Sequence, residues 1–264
     1  MSGHLDDASL SVRPSEVIGG LTSRSITLGA IGAIGLAVGF FVAPETFWQS
    51  YLIGYLYWLA ISLGSLGLLM VSHLSGGAWG LVSRRVFEAA AKNLLPLAVL
   101  FLPIALNATH LFHWAAPEAA QAAGIQTKAA YLNLNFFYLR AVLYFAIWLF
   151  LAYRLAGWST AQDAAPARLP GPEDRKFRVL SGPGIVLFML TVTFMSVDWI
   201  MSLDPHWTST IIGVLTVGGQ GLSTLAFTVL ILASLAKTKP MSELMTADRF
   251  HDLGKLMYAF VLLW

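Results

Sequence analysis

One acidic residue lies inside an otherwise apolar stretch of this chain, where a charge calls for a chemical explanation. Asp198 falls within residues 181–207, SGPGIVLFMLTVTFMSVDWIMSLDPHW. The part covering 183–203 is long enough to cross a bilayer as a helix. Because Asp198 precedes Asp204 by six residues, it would lie roughly 9 Å inside the end of that helix. An ionisable side chain at this depth usually has a partner or a function in moving charge.

Arg140 is the natural partner, since it lies inside another predicted span, residues 131–156. Spans that follow one another in sequence are often neighbours in space, so we expect Arg140 and Asp198 to approach each other, directly or through water. One interpretation is a static ion pair in which each charge only compensates the other. The other is a proton-conducting element, in which Asp198 titrates beside Arg140. Side chains on faces that cannot meet would contradict the pairing.

Two further groups of ionisable residues lie near the predicted ends of the spans and could exchange protons with water. The outer group consists of His110, His113, Asp204 and His206. The inner group consists of His73, Glu88, His251, Asp252 and Lys255. These groups are candidates for the two ends of a proton route. The alternative is that they are ordinary polar side chains that face lipid headgroups.

The same histidines could be considered as haem ligands, with His73 and His251 on one side and His110 or His113 with His206 on the other. A b-type haem needs two imidazoles that face each other inside a bundle, and these lie at helix ends, so the sequence disfavours haem. The chain has no cysteine, which excludes thiolate-held iron–sulfur clusters and covalently attached haem on this chain alone. We find no phosphate-binding loop, nucleophile triad or metal-spaced motif. We therefore expect no catalytic residue, no metal ligand and no cofactor held by this chain.

The composition predicts an all-α polytopic membrane protein. Of its 264 residues, 57% are hydrophobic and 11% are charged, and mean hydropathy is +0.69. Such a chain has too few charges to cover the surface of a soluble globule. We predict about six full spans and the start of a seventh, which begins after Thr246 or Asp248. The six spans are residues 25–42, 47–74, 86–106, 131–156, 183–203 and 209–235.

The spans suggest four parts. Residues 1–24 would be a polar cytoplasmic tail, and 25–42 a peripheral helix. Residues 47–204 would form a four-helix bundle with a cytoplasmic linker at 157–180, and 209–264 would begin a second bundle. In the first helix, Gly35 and Gly39 form a small-xxx-small pattern, which predicts packing against another helix.

Lys and Arg alternate between the two sides of these spans, and this bias places the N-terminus in the cytoplasm. The opposite-side segments hold Lys128 alone, whereas the N-terminal side holds Arg13, Arg24, Arg84, Arg85, Arg154, Arg168, Arg175, Lys176, Arg178, Lys237, Lys239 and Arg249. The last apolar run, 256–264, rises only about 13 Å as a helix, less than half of a bilayer core. We therefore expect the chain to be the N-terminal piece of a longer protein.

Several stretches resemble one family of bacterial membrane proteins. They are FWQSYLI at 47–53, HLSGGAWG at 73–80, YLNLNFF at 131–137, VDWIMSLDPHW at 197–207 and HDLGKLMYAFVLLW at 251–264. Together they are similar to the NrfD/polysulfide-reductase-like membrane subunits of alternative complex III, a quinol:cytochrome c oxidoreductase, and most to the second of these, called quinone-binding subunit 2. The resemblance covers nearly everything from Phe47 to the end of the chain.

The resemblance implies a fold of about ten membrane helices arranged around two four-helix bundles. It implies a multi-pass subunit of the bacterial cytoplasmic membrane that is not catalytic alone. Its partners would be an iron–sulfur protein, multihaem and monohaem cytochromes c and a second NrfD-like subunit. Those partners would hold the iron–sulfur clusters and c-type haems, and quinol or menaquinol would be oxidised mainly at the sister subunit.

For this subunit the resemblance implies a transmembrane proton route, a quinone-side scaffold, or both, and it assigns no quinone-binding residue here. A different class of function is a purely structural anchor for the iron–sulfur and haem subunits. A b-haem cytochrome or a solute transporter is a third class.

Overall fold

The computed structural model describes residues 16–116, 126–163, 174–236 and 241–264. Every regular element in these ranges is helical. Six helical stretches are long and apolar enough to cross a membrane, as the composition predicted: Gly19–Val42, Pro44–Ser75, Trp79–Leu106, Leu134–Asp163, Arg175–Leu203 and Ile212–Leu235. The chain is an all-helical, multi-pass membrane protein.

We number the α-helices in chain order. They are α1 Glu16–Val42, α2 Pro44–Ser75, α3 Ala78–Lys92, α4 Leu94–Leu100, α5 Leu102–Leu106, α6 Ala108–Leu111, α7 Leu134–Asp163, α8 Asp174–Trp199, α9 Ile212–Leu235, α10 Met241–Leu244 and α11 Ala247–Leu263. Short 3-10 turns cover His113–Ala115 and Met201–Leu203. Helices α3, α4 and α5 together make the third span.

The bundle has two ends that differ in their charged side chains. At one end Arg84 and Arg85 of α3 meet the end of α7 and the start of α8, where Arg85 pairs with Asp163 and Arg84 lies over Phe177. At the other end His113 lies against the carbonyl of Leu203, just after α8. We call these the arginine end and the histidine end. Helix α7 runs from the histidine end to the arginine end, and α8 returns.

Helix α2 lies at the centre and packs against α3, α8 and α9. Its leucines Leu63, Leu66 and Leu69 are completely buried. Contact with α9 is close because α2 has a glycine there: a Cβ on Gly64 would collide with the hydroxyl of Thr224 and the backbone of Gln220. In the same region Thr224 Oγ1 donates to the carbonyl of Ile61 at 3.0 Å.

Several predicted boundaries were wrong, and the largest errors concern polar residues at helix ends. Helix α1 begins at Glu16, inside the predicted tail, and the third span begins at Ala78 rather than at residue 86. Arg84 and Arg85 therefore lie within α3, where both pair with Glu88 one turn later. Helices extend through the headgroup layer, where polar side chains are tolerated, so hydropathy alone places their ends too far inside the membrane.

The linker between the fourth and fifth spans is shorter than predicted for the same reason. Helix α7 continues to Asp163 and α8 begins at Asp174, so Pro183 lies inside α8 rather than at its start. Residues 157–163 and 174–180 of the predicted linker are therefore helical, and 164–173 lie outside the described residues. The last helix begins where it was predicted, directly after Thr246.

Within the described chain, the predicted packing of the glycine face of α1 is present only at Gly39, where a built Cβ would lie 3.5 Å from the ring of Phe47. No atom of another element lies within 4 Å of a Cβ built on Gly35, and the same is true of Gly29 and Gly32. Only the end of α1 touches α2, where the rings of Phe40 and Phe47 are 5.4 Å apart in an edge-to-face arrangement. The spacing of small residues shows that α1 could pack closely against another helix, but it does not show which helix lies beside it.

Candidate functional site

Arg140 and Asp198 form a buried two-pronged ion pair near the histidine end. Arg140 lies in the second turn of α7, and Asp198 is the residue before the last residue of α8. Nε of Arg140 donates to Oδ2 of Asp198 at 2.7 Å, and Nη2 donates to Oδ1 at 2.8 Å. Asp198 is 0% exposed and Arg140 is 6% exposed. The expected approach of the two side chains is therefore present, and it is direct.

Tyr144 completes the environment of the carboxylate. Its hydroxyl donates to Oδ2 of Asp198 at 2.7 Å. Tyr144 follows Arg140 by four residues, so both side chains leave the same face of α7. Three donors thus converge on two carboxylate oxygens, and charge-assisted bonds of this kind are the strong ones. Both oxygens of Asp198 therefore act as acceptors in this arrangement.

The far side of the guanidinium rests on the segment that precedes α7. Nη1 of Arg140 donates to the carbonyl of Tyr131 at 3.1 Å. The guanidinium carbon lies 3.9 Å from the ring centroid of Tyr131 and 4.5 Å from that of Phe136, a cation–π arrangement. Burial raises the pKa of the Tyr131 phenol, and the negative charge of Asp198 raises it further. Tyr131 therefore stays protonated and neutral at physiological pH.

Buried aromatic side chains surround the pair on its membrane side. The rings of Tyr144 and Trp148 stack with centroids 5.8 Å apart, and Trp199 stacks on Phe101 at 4.3 Å. Nε1 of Trp148 donates to the hydroxyl of Thr191 at 2.8 Å. Trp148 lies one turn beyond Tyr144 in the direction of the arginine end, so bulky apolar groups fill the space next to the pair on that side.

A cavity of about 330 Å³ lies on the other side of the pair, at the histidine end. Its polar lining includes Lys128, Tyr131, Ser202 and Asp204. Two of these residues also contact the ion pair, because Tyr131 holds Arg140 and Ser202 Oγ donates to the backbone carbonyl of Asp198 at 2.5 Å. Tyr131 and Ser202 thus link the ion pair to the lining of this cavity.

The four residues of the predicted outer group lie at the histidine end and are exposed, without forming one hydrogen-bonded cluster among the described contacts. Nδ1 of His113 lies 3.3 Å from the carbonyl oxygen of Leu203, and Nδ1 of His110 lies 3.5 Å from the hydroxyl of Thr109. Asp204 accepts a hydrogen bond from the backbone N–H of His206 at 2.9 Å. Their use in proton exchange stays a prediction.

The predicted inner group is divided between two places. Glu88 is 5% exposed and accepts hydrogen bonds from Arg84 Nε at 3.0 Å and from Arg85 Nη1 at 2.6 Å. Arg85 also donates to Ser159 Oγ at 2.8 Å. Glu88 thus belongs to an ion-pair network that joins α3 to α7.

The remaining members of the inner group lie elsewhere at or near the arginine end. The ring of His73 lies 4.8 Å from the ring of Phe177. His251 and Asp252 are exposed on α11, where Asp252 lies 3.5 Å from the ammonium group of Lys255. Within the described residues, no set of three or more His, Asp or Glu side chains is placed to hold a metal ion.

Sequence reasoning missed two residues of the site, Tyr144 and Tyr131. The signal for Tyr144 was available, because a hydroxyl four residues after a buried arginine shares its helix face. Tyr131 contributes its backbone carbonyl and the face of its ring. Neither contribution follows from residue type without knowing how the chain enters α7.

No family model matches this chain, and no match is found among curated proteins. The resemblance to the membrane subunits of alternative complex III therefore stays a prediction from the motifs in the sequence. The functional interpretation rests on that resemblance and on the geometry around Asp198.

Proposed function

We propose that this chain is a membrane subunit of a quinol-oxidising complex of the alternative complex III type, in which Arg140, Asp198 and Tyr144 carry part of a proton route. The observation that carries the proposal is the completely buried side chain of Asp198, which Tyr131 and Ser202 link to a cavity at the histidine end. A buried acid in a membrane helix is expensive and is usually kept for function.

The geometry suggests how such a site would work. Protonation of Asp198 removes the charge that holds Arg140, so the guanidinium needs other partners while the acid is neutral. It has them in the Tyr131 carbonyl and in the ring faces of Tyr131 and Phe136. Tyr144 can donate to a carboxylate and can also accept from a carboxylic acid. Asp198 could therefore exchange a proton with the cavity without leaving Arg140 unsolvated.

The proposal includes the setting that the motif resemblance implies. The chain would lie in the bacterial cytoplasmic membrane with its arginine end on the cytoplasmic side, in agreement with the distribution of Lys and Arg. An iron–sulfur protein, multihaem and monohaem cytochromes c and a second NrfD-like subunit would carry the electrons. This chain would contribute the proton route, the quinone-side scaffold, or both, without a redox group of its own.

A second candidate is a structural anchor for those peripheral subunits. It is favoured by the complete pairing of the Asp198 carboxylate, whose two oxygens accept from Arg140 and Tyr144. On this interpretation the pair only fastens α7 to α8, and its protonation state never changes during turnover. The two candidates predict different behaviour when the charge is removed.

The test is to replace Asp198 by Asn in the native complex, and to measure proton translocation together with quinol oxidation in proteoliposomes. The proton route predicts that translocation per electron falls severalfold while subunit content is unchanged. The anchor predicts an unchanged ratio in every complex that assembles. Asp163→Asn is the matched control, because this acid is 60% exposed at the arginine end and should not affect translocation.

If Asp198→Asn prevents assembly, the neutral pair Arg140→Gln with Asp198→Asn replaces it, because it removes both charges and keeps polar side chains that can hydrogen-bond to each other. A native assembly without quinol oxidation would contradict the assignment to this class of complex. Haem absorption bands that belong to this subunit would favour the b-type cytochrome instead.

A further inference from the structure

Two cations from different helices converge on one tryptophan at the arginine end. The guanidinium carbon of Arg154, on α7, lies 5.0 Å from the ring centroid of Trp158. The ammonium nitrogen of Lys176, on α8, lies 5.7 Å from the same centroid and 5.7 Å from that of Phe177. Like charges that share one aromatic ring repel each other unless an anion lies nearby.

Two acids at this end are paired with other arginines. Glu88 accepts from Arg84 and Arg85, and Asp163 also pairs with Arg85. Among the carboxylates whose side chains are described, which do not include Asp174, none forms an ion pair with Arg154 or Lys176.

The sequence at the start of α8 adds further positive charge. Glu173 and Asp174 are followed by Arg175, Lys176 and Arg178, and Arg175 and Arg178 are exposed. With Arg154 from α7 opposite this segment, cations outnumber acids. The local charge therefore favours binding of an anion.

The position of Trp158 in the membrane indicates which anion. Helix α7 has 30 residues and is therefore about 45 Å long, whereas a hydrocarbon core is about 30 Å thick. The last turns of α7 thus reach the headgroup layer, where tryptophan is enriched. Arg154 extends toward Trp158, one turn closer to the end of the helix, as long basic side chains do when they reach for headgroups.

Apolar side chains continue this surface toward the centre of the membrane. Phe150 is exposed on α7, one turn before Arg154, and Val179 is exposed on α8, one turn after the first basic residues. A phospholipid needs both features, cations at headgroup level and an apolar face below them. A soluble anion would need only the first.

We infer that Arg154, Trp158 and Lys176 form a binding site for the headgroup phosphate of an anionic phospholipid, whose acyl chains lie along Phe150 and Val179. A phosphate between the two cations relieves their repulsion and accepts charge-assisted hydrogen bonds from both. Basic pockets between membrane helices on the cytoplasmic side commonly bind such headgroups. This site does not depend on the proposed proton route.

The test uses the chain in its native assembly, purified in detergent, delipidated and titrated with cardiolipin while bound lipid is measured by mass spectrometry. The variant is Arg154→Gln with Lys176→Gln, which keeps a polar side chain at both positions and removes two charges. Cardiolipin affinity should fall roughly thirtyfold, from the combined contribution of two basic residues. The matched control, Arg24→Gln with Lys255→Gln, removes two exposed charges elsewhere and should keep the original affinity.

Phosphatidylcholine and inorganic phosphate are the competitors. Neither should displace cardiolipin from the original protein, because the first has no net charge and the second has no acyl chain. Equal cardiolipin affinity in the two double variants would overturn the proposal, as would complete displacement by millimolar phosphate. Unfolding midpoints of both variants are measured in parallel, and cardiolipin should raise the midpoint of the control variant only.

Discussion

Arg140 and Asp198 are separated by 58 positions in the chain, yet Nε and Nη2 of the arginine each donate to a different oxygen of the aspartate. This relationship fixes how the start of α7 meets the end of α8. It also brings two opposite charges into a buried environment, where each depends on the other. Removing one partner leaves the other charge buried without compensation, and this is far more costly than removing both.

The first prediction is a strong coupling between these two side chains. Asp198→Asn and Arg140→Gln should each lower the free energy of unfolding by about 3–5 kcal/mol. The double variant should cost no more than either single variant, so the interaction energy should be at least as large as one single loss, about 3–5 kcal/mol. Denaturant unfolding in detergent micelles measures all four proteins. Additive losses would contradict the coupling.

A second prediction concerns the hydroxyl of Tyr144, which donates to Oδ2 of Asp198 at 2.7 Å. Tyr144→Phe keeps the ring and removes the donor, so the free energy of unfolding should fall by about 1.5–3 kcal/mol, as expected for a bond to a charged group. Tyr153→Phe is the matched control on the same helix, because Tyr153 is exposed. The same unfolding assay compares them, and an equal loss in both variants would argue against a specific role for Tyr144.

Much of the fold could be predicted from the sequence because the spans are set by a strong and simple signal. Apolar runs of sufficient length must form helices in lipid, since every backbone polar group needs a partner within the segment. The ends of α3 and α8 could not be predicted in this way. There Arg84 and Asp174 lie within helices, and hydropathy cannot distinguish a helical headgroup segment from a loop.

The site was predictable only in part, for a related reason. Acids and arginines are rare inside membrane spans, so one of each in neighbouring spans predicts an ion pair. Arg140 and Asp198 do form this pair. Histidines near span ends do not need a partner within the protein, because water and headgroups can hydrogen-bond to them equally well. His110 and His206 are accordingly exposed rather than clustered. Glu88 was grouped with His251, but the arginines one turn before it on α3 are its partners.

A third prediction compares two acids of the network at the arginine end. Glu88 is 5% exposed and accepts from both Arg84 and Arg85, so Glu88→Gln should cost about 1–3 kcal/mol by weakening two charge-assisted hydrogen bonds to a buried carboxylate. Asp163 pairs with Arg85 at an exposed position, so Asp163→Asn should cost less than about 1 kcal/mol. High salt should weaken only the exposed pair. Unfolding at low and high salt measures both effects, and a larger loss for Asp163→Asn would contradict the assignment.

A fourth prediction tests the close contact between α2 and α9 with two glycines on one helix. A Cβ on Gly64 would collide with the backbone of Gln220 and the hydroxyl of Thr224, whereas a Cβ on Gly54 would meet no neighbouring atom within 4 Å. Gly64→Ala should therefore force α9 away and lower the free energy of unfolding by about 1–3 kcal/mol. Gly54→Ala should be neutral or stabilising by up to about 1 kcal/mol, because alanine favours the helix. Denaturant unfolding of both variants measures the contrast. Equal changes would mean that α9 does not rest on Gly64, since helix propensity alone affects both positions in the same direction.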